Sequence, residues 1–401
     1  MPARVVGVHD VSFGFSTLAL VAVVGMAGPV LASVPRLRIP LVIGEVAVGL
    51  LIGRTGFGLV DTADPTFSLL ADVGFALVMF VVGTHVPIRD ITLRSSIPGA
   101  ILRAVLVGVV ATVFGVGLAA VFQTGHAAVY AVLMASSSAA LALPVIQALG
   151  IDGPSVKSVT AQIAIADATS IVLLPLVIDP DRALTAALGA VVIGLCAAVV
   201  FAALWGFDRR GLRKRLHHFS EDNGFALELR ISLIILFALA ALAVATHVSI
   251  MLAGFALGLA VKAAGEPRRL AKQLFGITEG LFGPLFFVWL GASLQVRELG
   301  DHPGYILLGV GLGLGAVLAH CAGRLTGQPL ALAALAAAQL GVPVAAATLG
   351  TQNHLLSPGE PSALMLGAVL TIGVTSVASV IAGRRRPQQP APPTPPPPQP
   401  A

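Results

Sequence analysis

One acid in this chain lies where an acid is hard to keep. Asp167 sits near the centre of the apolar stretch 156–178, within Thr160-Ala-Gln-Ile-Ala-Ile-Ala-Asp-Ala-Thr-Ser170. Most of the 19 Asp and Glu residues fall in polar connections or near the ends of apolar stretches, Glu45, Asp72, Glu228 and Glu279 each within about two turns of one. An unpaired charge at such a depth costs several kcal/mol, so an acid retained there is expected to be used. At helical spacing Thr160, Asp167 and Ser170 share one face, and Gln162, Ala166 and Thr169 a neighbouring one. A carboxylate ringed by hydroxyl and amide oxygens offers hard ligands, suited to a proton or a small alkali cation. The competing account is a protonated Asp167 that only hydrogen-bonds a neighbouring helix.

Two other apolar stretches carry residues that interrupt helices. One holds Ser136, Ser137 and Ser138 followed by Pro144; the other reads Gln339-Leu340-Gly341-Val342-Pro343. Serines compete for backbone hydrogen bonds and proline removes one, so both stretches are expected to break and expose helix ends and carbonyls. No cofactor is implied. There is no nucleophile–base pair or metal-ligand cluster, and Gly309 to Gly315 lies inside an apolar stretch without the strand–turn–helix setting of a phosphate loop. Cys196 and Cys321 lack metal or redox spacing and read as packing residues.

The elements that must position these residues follow from composition. Of 401 residues 56% are hydrophobic and 11% charged, with mean hydropathy +0.94, whereas soluble domains carry roughly a quarter charged residues. Too few charges exist for an aqueous shell, which excludes a soluble enzyme, and lipid is the solvent. Apolar stretches at 11–33, 40–59, 66–85, 98–122, 126–149, 156–178, 184–206, 225–244, 247–264, 274–296, 303–323, 326–350 and 360–382 predict an all-α polytopic membrane protein crossing about thirteen times. The first stretch follows Arg4 and is long enough to span, so it reads as an uncleaved helix rather than a signal peptide.

Orientation comes from charge. Of the 24 Lys and Arg residues, all but Arg4, Arg54, Arg182 and Arg297 fall on one side of this arrangement. That predicts an outside N-terminus and a cytoplasmic C-terminus, and it accounts for the net charge of +5 without a nucleic-acid partner. The tail after Arg386, PQQPAPPTPPPPQP, reads as a disordered polyproline segment, giving a membrane domain over 1–383 and a proline-rich cytoplasmic tail over 384–401. The two interrupted stretches are each the middle member of a three-span set, spans four to six and eleven to thirteen. Matching interruptions predict inverted repeats with two discontinuous crossing helices and a site at the midplane.

These features resemble the monovalent cation:proton antiporters of the sodium/hydrogen exchanger superfamily, of the bacterial cation:proton antiporter-2 type. Pro40-Leu-Val-Ile-Gly-Glu-Val-Ala-Val-Gly-Leu-Leu-Ile-Gly53 is similar to the family's early proline–isoleucine–glycine–glutamate segment, and Leu70 to Gly83 to its third-span pattern. Ser136 to Gly150 resembles its serine-rich broken helix, and Pro284-Leu-Phe-Phe-Val-Trp-Leu-Gly291 its phenylalanine-rich tenth span. The likeness covers roughly 11–383. It implies that Asp167 alternately binds H+ and a cation, Na+ or K+, with Thr160, Gln162, Ser170 and the Ser136 to Ser138 segment supplying oxygens. It also implies a homodimer in the bacterial inner membrane, and a core of spans four to six and eleven to thirteen that moves against the remainder. Burial favours the protonated acid until a cation arrives, so one carboxylate can exchange one ion for the other, electroneutrally.

The chain departs from the family pattern in three places. Ala166 stands where Asn, Asp or Gln usually precedes the acid. The eleventh span lacks a lysine and has His320 as its only titratable group, which reads either as a packed histidine near the cytoplasmic end or as a second functional residue. Gln339 to Val342 replace a charged triplet. These departures keep open a transport-inactive relative serving as a sensor or subunit. An organic-anion symporter on a related fold is a third reading.

Overall fold

The computed structural model describes residues 13–33, 41–85, 96–210, 219–220, 223–246, 248–265, 268–294, 296–352 and 355–384, and among them there is no strand. The proline-rich tail and the basic residues Arg36, Arg38, Arg89 and Arg94 lie outside the described residues. In chain order the helices are α1 (Phe15–Gly25), α2 (Ala27–Ala32), α3 (Leu41–Ile52), α4 (Pro65–His85), α5 (Ile97–Phe122), α6 (Ala127–Ala135), α7 (Ala139–Leu149), α8 (Pro154–Ile178) and α9 (Ala183–Arg209). They continue with α10 (Leu227–Ala245), α11 (Ile250–Ala264), α12 (Arg268–Ile277), α13 (Gly283–Ser293), α14 (Val296–Asp301), α15 (Pro303–Cys321), α16 (Leu330–Ala336), α17 (Gly341–Gln352) and α18 (Glu360–Arg384).

Each expected span has its helix. Ten are long and apolar enough to cross a membrane by length and composition; the remaining three are α3, the broken pair α6/α7 and the 15-residue α11. Local chemistry sets the boundaries. Prolines open α5, α8 and α15 at positions where a missing N–H costs nothing. Asp64 caps α4 by accepting from the amides of Thr66 and Phe67 at 2.8 and 3.1 Å. The tenth span, expected as one helix, runs from α12 through a π-helical turn at Thr278–Phe282 into α13.

The helices form two groups. In the first, α11 packs on α4, α9 and α10, and α13 packs on α3 and α4. Contact is close because glycines leave room: a Cβ on Gly254 would sit 2.3 Å from the Ala76 carbonyl oxygen, and one on Gly258 2.2 Å from that of Phe80. The second group joins α5–α8 to α15–α18. There α5 and α15 run antiparallel, since Gly311 meets Leu118 while Gly315 faces Phe114, as inverted repeats require. The outer faces of α5 and α9 leave Val105, Val109, Val113, Leu184, Leu188 and Leu195 exposed. Such faces suit lipid, not water.

Candidate functional site at the crossing of two broken helices

The fifth and twelfth spans break where the sequence places their interruptions, and the breaks meet. After α6 the backbone turns extended at Ser136 (φ −70°, ψ 152°), and the Ser136 hydroxyl takes up the Leu133 carbonyl at 2.7 Å. This is the local competition by which serine ends a helix. The Ser138 amide then donates to the Ala338 carbonyl at 2.7 Å, tying the breaks backbone to backbone. Ser137 Oγ donates to the Ala336 carbonyl at 2.7 Å, and Gln339 Nε2 to that of Leu133 at 2.6 Å. Ser136, Ser137, Ser138 and Gln339 are all buried.

Asp167, 5% exposed on α8, faces this crossing. Its Oδ2 accepts the amide of Ala139, the first residue of α7, at 3.0 Å. A helix N-terminus presents unpaired N–H groups and a partial positive charge, so the carboxylate sits where an anion is favoured. A matching arrangement occurs in the other repeat: the Gln339 amide, just before α17, donates to Thr371 Oγ1 of α18 at 3.2 Å. Thr371 went unnoticed in the sequence because a threonine in an apolar helix can satisfy itself on its own backbone, as this one does on Ala368 at 2.7 Å.

The other candidates are distributed along the same elements. Ser170 is buried one turn beyond Asp167. Gln162 is buried 1% exposed, and neither its Oε1 nor its Nε2 has a partner among the described residues. Thr160, half-buried, lies about 10 Å from Asp167 along the axis at 1.5 Å per residue. Pro144 falls in α7, where its lack of N–H frees the Ala140 carbonyl; its side chain is outside the described residues. Gly341 and Pro343 open α17, so this proline sits in a first turn that tolerates it. His320 is fully buried, with Nδ1 2.9 Å from the Ala316 carbonyl and Nε2 3.2 Å from Ser137 Oγ. It belongs to the crossing.

A cavity of about 350 Å³ lies between the two helix groups. Pro175 and Ile178 of α8 and Val344 and Thr348 of α17 face Asp72 and Phe75 of α4 and Phe286 and Trp289 of α13 across it. Asp72 therefore lines an internal space, although its position near one end of α4 gave no sign of this. No group of three or more His, Cys, Asp or Glu able to hold a metal ion occurs among the described residues.

A polytopic bundle in which two broken helices cross beside a buried carboxylate, with a cavity between a core and a scaffold, is the architecture of a secondary ion transporter. The family model described as "Sodium/hydrogen exchanger, transmembrane" matches residues 18–383, and the chain belongs to that family. It is 24% identical over 379 residues to the putative Na(+)/H(+) antiporter YjbQ of Bacillus subtilis (strain 168), covering 88% of this chain and 61% of that one. It thus spans less than two thirds of that relative's length. With the Na(+)/H(+)-K(+) antiporter GerN of Bacillus cereus it shares 22% identity over 349 residues, covering 85% and 89% of the two chains. The fold is similar to the sodium proton antiporter MjNhaP1 from Methanocaldococcus jannaschii, with TM-score 0.61, 15% identity and coverage of 91% and 96%.

Proposed function

We propose that the protein exchanges Na+ or K+ for H+ by competition at Asp167. The observation that carries this is the buried carboxylate held by the Ala139 amide at the head of α7. A proton and a cation each neutralise that carboxylate, so loading one releases the other. Ser170, the Ala140 carbonyl freed by Pro144 and the Ser136–Ser138 segment are the oxygens assigned to the cation, with Gln162 as an unpaired amide further along α8. Access alternates as the core helices α5–α8 and α15–α18 move against the scaffold, and the cavity at Pro175 and Asp72 is the path to one side. The names of the two Bacillus relatives support both cations. The reading places the protein as a homodimer in a bacterial inner membrane, N-terminus outside.

The test is reconstitution of the wild type and Asp167→Asn into liposomes holding a pH dye, followed by addition of Na+, K+ or Li+. Cation-driven proton flux in the wild type, falling at least about 100-fold in the variant, is expected; that is a loss of about 2.7 kcal/mol. No flux in the wild type would leave the transport-inactive reading standing. Equal flux in both would remove Asp167 from the mechanism. With one carboxylate cycling between neutral states, exchange develops no membrane potential, which a potential-sensitive dye measures in the same vesicles.

A further inference from the structure

The hydrogen bonds around His320 do not close for a neutral ring. The Ala316 carbonyl can only accept, so Nδ1 must carry a hydrogen to meet it. The Ser137 hydroxyl has one hydrogen and two acceptors in reach, the Ala336 carbonyl at 2.7 Å and Nε2 at 3.2 Å. With Nε2 bare, either that hydroxyl turns to the ring and leaves a buried carbonyl in the last turn of α16 unpaired, or it stays on the carbonyl and Nε2 faces an oxygen lone pair. When Nε2 takes a proton from water admitted to the crossing, all three bonds are satisfied together. Nδ1–H donates to Ala316, Nε2–H to Ser137 Oγ, and Ser137 O–H to Ala336.

We infer that His320 is a positioning residue whose protonation turns the Ser137 hydroxyl and thereby ties or releases the two broken helices. Ser137 belongs to the break before α7 and Ala336 to the end of α16, so this one hydrogen joins the halves beside the Ser138–Ala338 bond. The charge of the protonated ring meets burial on every side. Its counterpart at the crossing is Asp167, whose carboxylate takes the amide of Ala139, two residues beyond Ser137.

Other ionisable groups on the elements packed against α15 are engaged elsewhere or exposed. Arg103 of α5 bonds Thr326 and Ser158. Tyr130 of α6 and Glu360 of α18 bond each other at the opposite end of the core. Arg324 in the turn after α15 and Arg297 of α14 are exposed, and Cys321 is the half-buried neighbour on the same helix.

The inference rests on the antiporter reading only for its effect on flux, so its first test needs no transport. The full-length protein, labelled with 15N-histidine and held in detergent, is followed by NMR, with His320→Gln assigning the resonance. Expected are a neutral ring with its hydrogen on Nδ1, reversible protonation of Nε2, and a shifted titration in Ser137→Ala. A neutral ring bearing its hydrogen on Nε2, or one that does not titrate between about pH 4 and 9, overturns the inference. In proteoliposomes at saturating cation, where a change in cation affinity from losing the Ser137 oxygen does not register, His320→Gln and Ser137→Ala should each delete the same step from the pH profile of exchange, and the double variant should delete no more. Separate or additive changes overturn the coupling. Absence of exchange in the wild type defeats the antiporter reading and leaves the NMR result to stand or fall alone.

Discussion

The bond between Asp167 and α7 can be cut while the acid is kept and the helix is left able to form. Ala139 is the first residue of α7, the position where proline is best accommodated, and the residue before it is already outside the helix. Ala139→Pro therefore deletes the N–H that Asp167 Oδ2 accepts at 3.0 Å and leaves the carboxyl in place. A hydrogen bond to an ionised group contributes roughly 1.5–3 kcal/mol and one to a neutral group roughly 0.5–1.5. The donor thus favours the ionised acid, empty or cation-bound, over the protonated acid by about 1–1.5 kcal/mol, close to a factor of ten. Under competition the variant should show an apparent KM for the cation about tenfold higher at low pH, where the cation must displace a proton. The two proteins should converge at high pH, where no proton is displaced. The assay is initial proton flux in proteoliposomes across cation concentrations at several pH values. Ala139 is buried, so the added ring can cost stability; melting temperature in detergent and flux at saturating cation separate that loss from the effect on competition. An apparent KM unchanged at low pH, or raised equally at every pH, would refute the reasoning.

Three further outcomes are expected. Glu360, fully buried at the head of α18, accepts from Tyr130 at 2.6 Å and the Ser357 amide at 2.9 Å and pairs with His126 at 2.7 Å; Glu360→Gln leaves at least one of these donors unmet and should cost about 1–3 kcal/mol, seen as a lower melting temperature, whereas no change would show that the cluster holds nothing together. The amide of Phe13, with those of Phe67 and Thr66, holds the Asp64 carboxyl below its ordinary value of 3.8. The stability this contributes is present above that value and lost as pH falls through the lowered one, so Asp64→Ala should flatten the acid side of a melting-temperature profile, and an identical acid side would contradict the cap. Gly258→Ala should destabilise by about 1–3 kcal/mol because its Cβ would meet the Phe80 carbonyl oxygen at 2.2 Å; Gly108→Ala, with nothing within 4 Å, should not.

The spans and the breaks were legible because their signals are local. An apolar stretch of membrane length needs no partner to be recognised, and Ser136–Ser138 act on the helix that contains them. Asp167 stood out because a charge among apolar residues is costly. Depth along a helix was less legible than direction around it. Thr160 shares the angular face of Asp167, yet seven residues separate them by two turns, and periodicity alone carries no information on which turn meets the crossing. The twelfth span shows the same limit. Pro343 marks the region, but the break itself falls at residues 337–340, where the Gln339 amide leaves the helix ladder for Thr371.

What the sequence could not display is which backbone amide each break releases and which oxygen on the next helix receives it, and that pairing decides the chemistry. In both repeats a backbone amide freed at a break finds an oxygen on the helix that closes the set: Asp167 for Ala139, Thr371 for Gln339. The structural requirement is the same twice, an acceptor for an orphaned N–H. Only one of the two acceptors can ionise. A second carboxylate at the Thr371 position would place like charges at one buried crossing, where each opposes ionisation of the other. A hydroxyl there meets the backbone requirement without adding a charge. The inverted repeat thus supplies two equivalent frames, and the difference between one aspartate and one threonine leaves one carboxylate between them, the group that a proton and a cation contest under the proposed exchange.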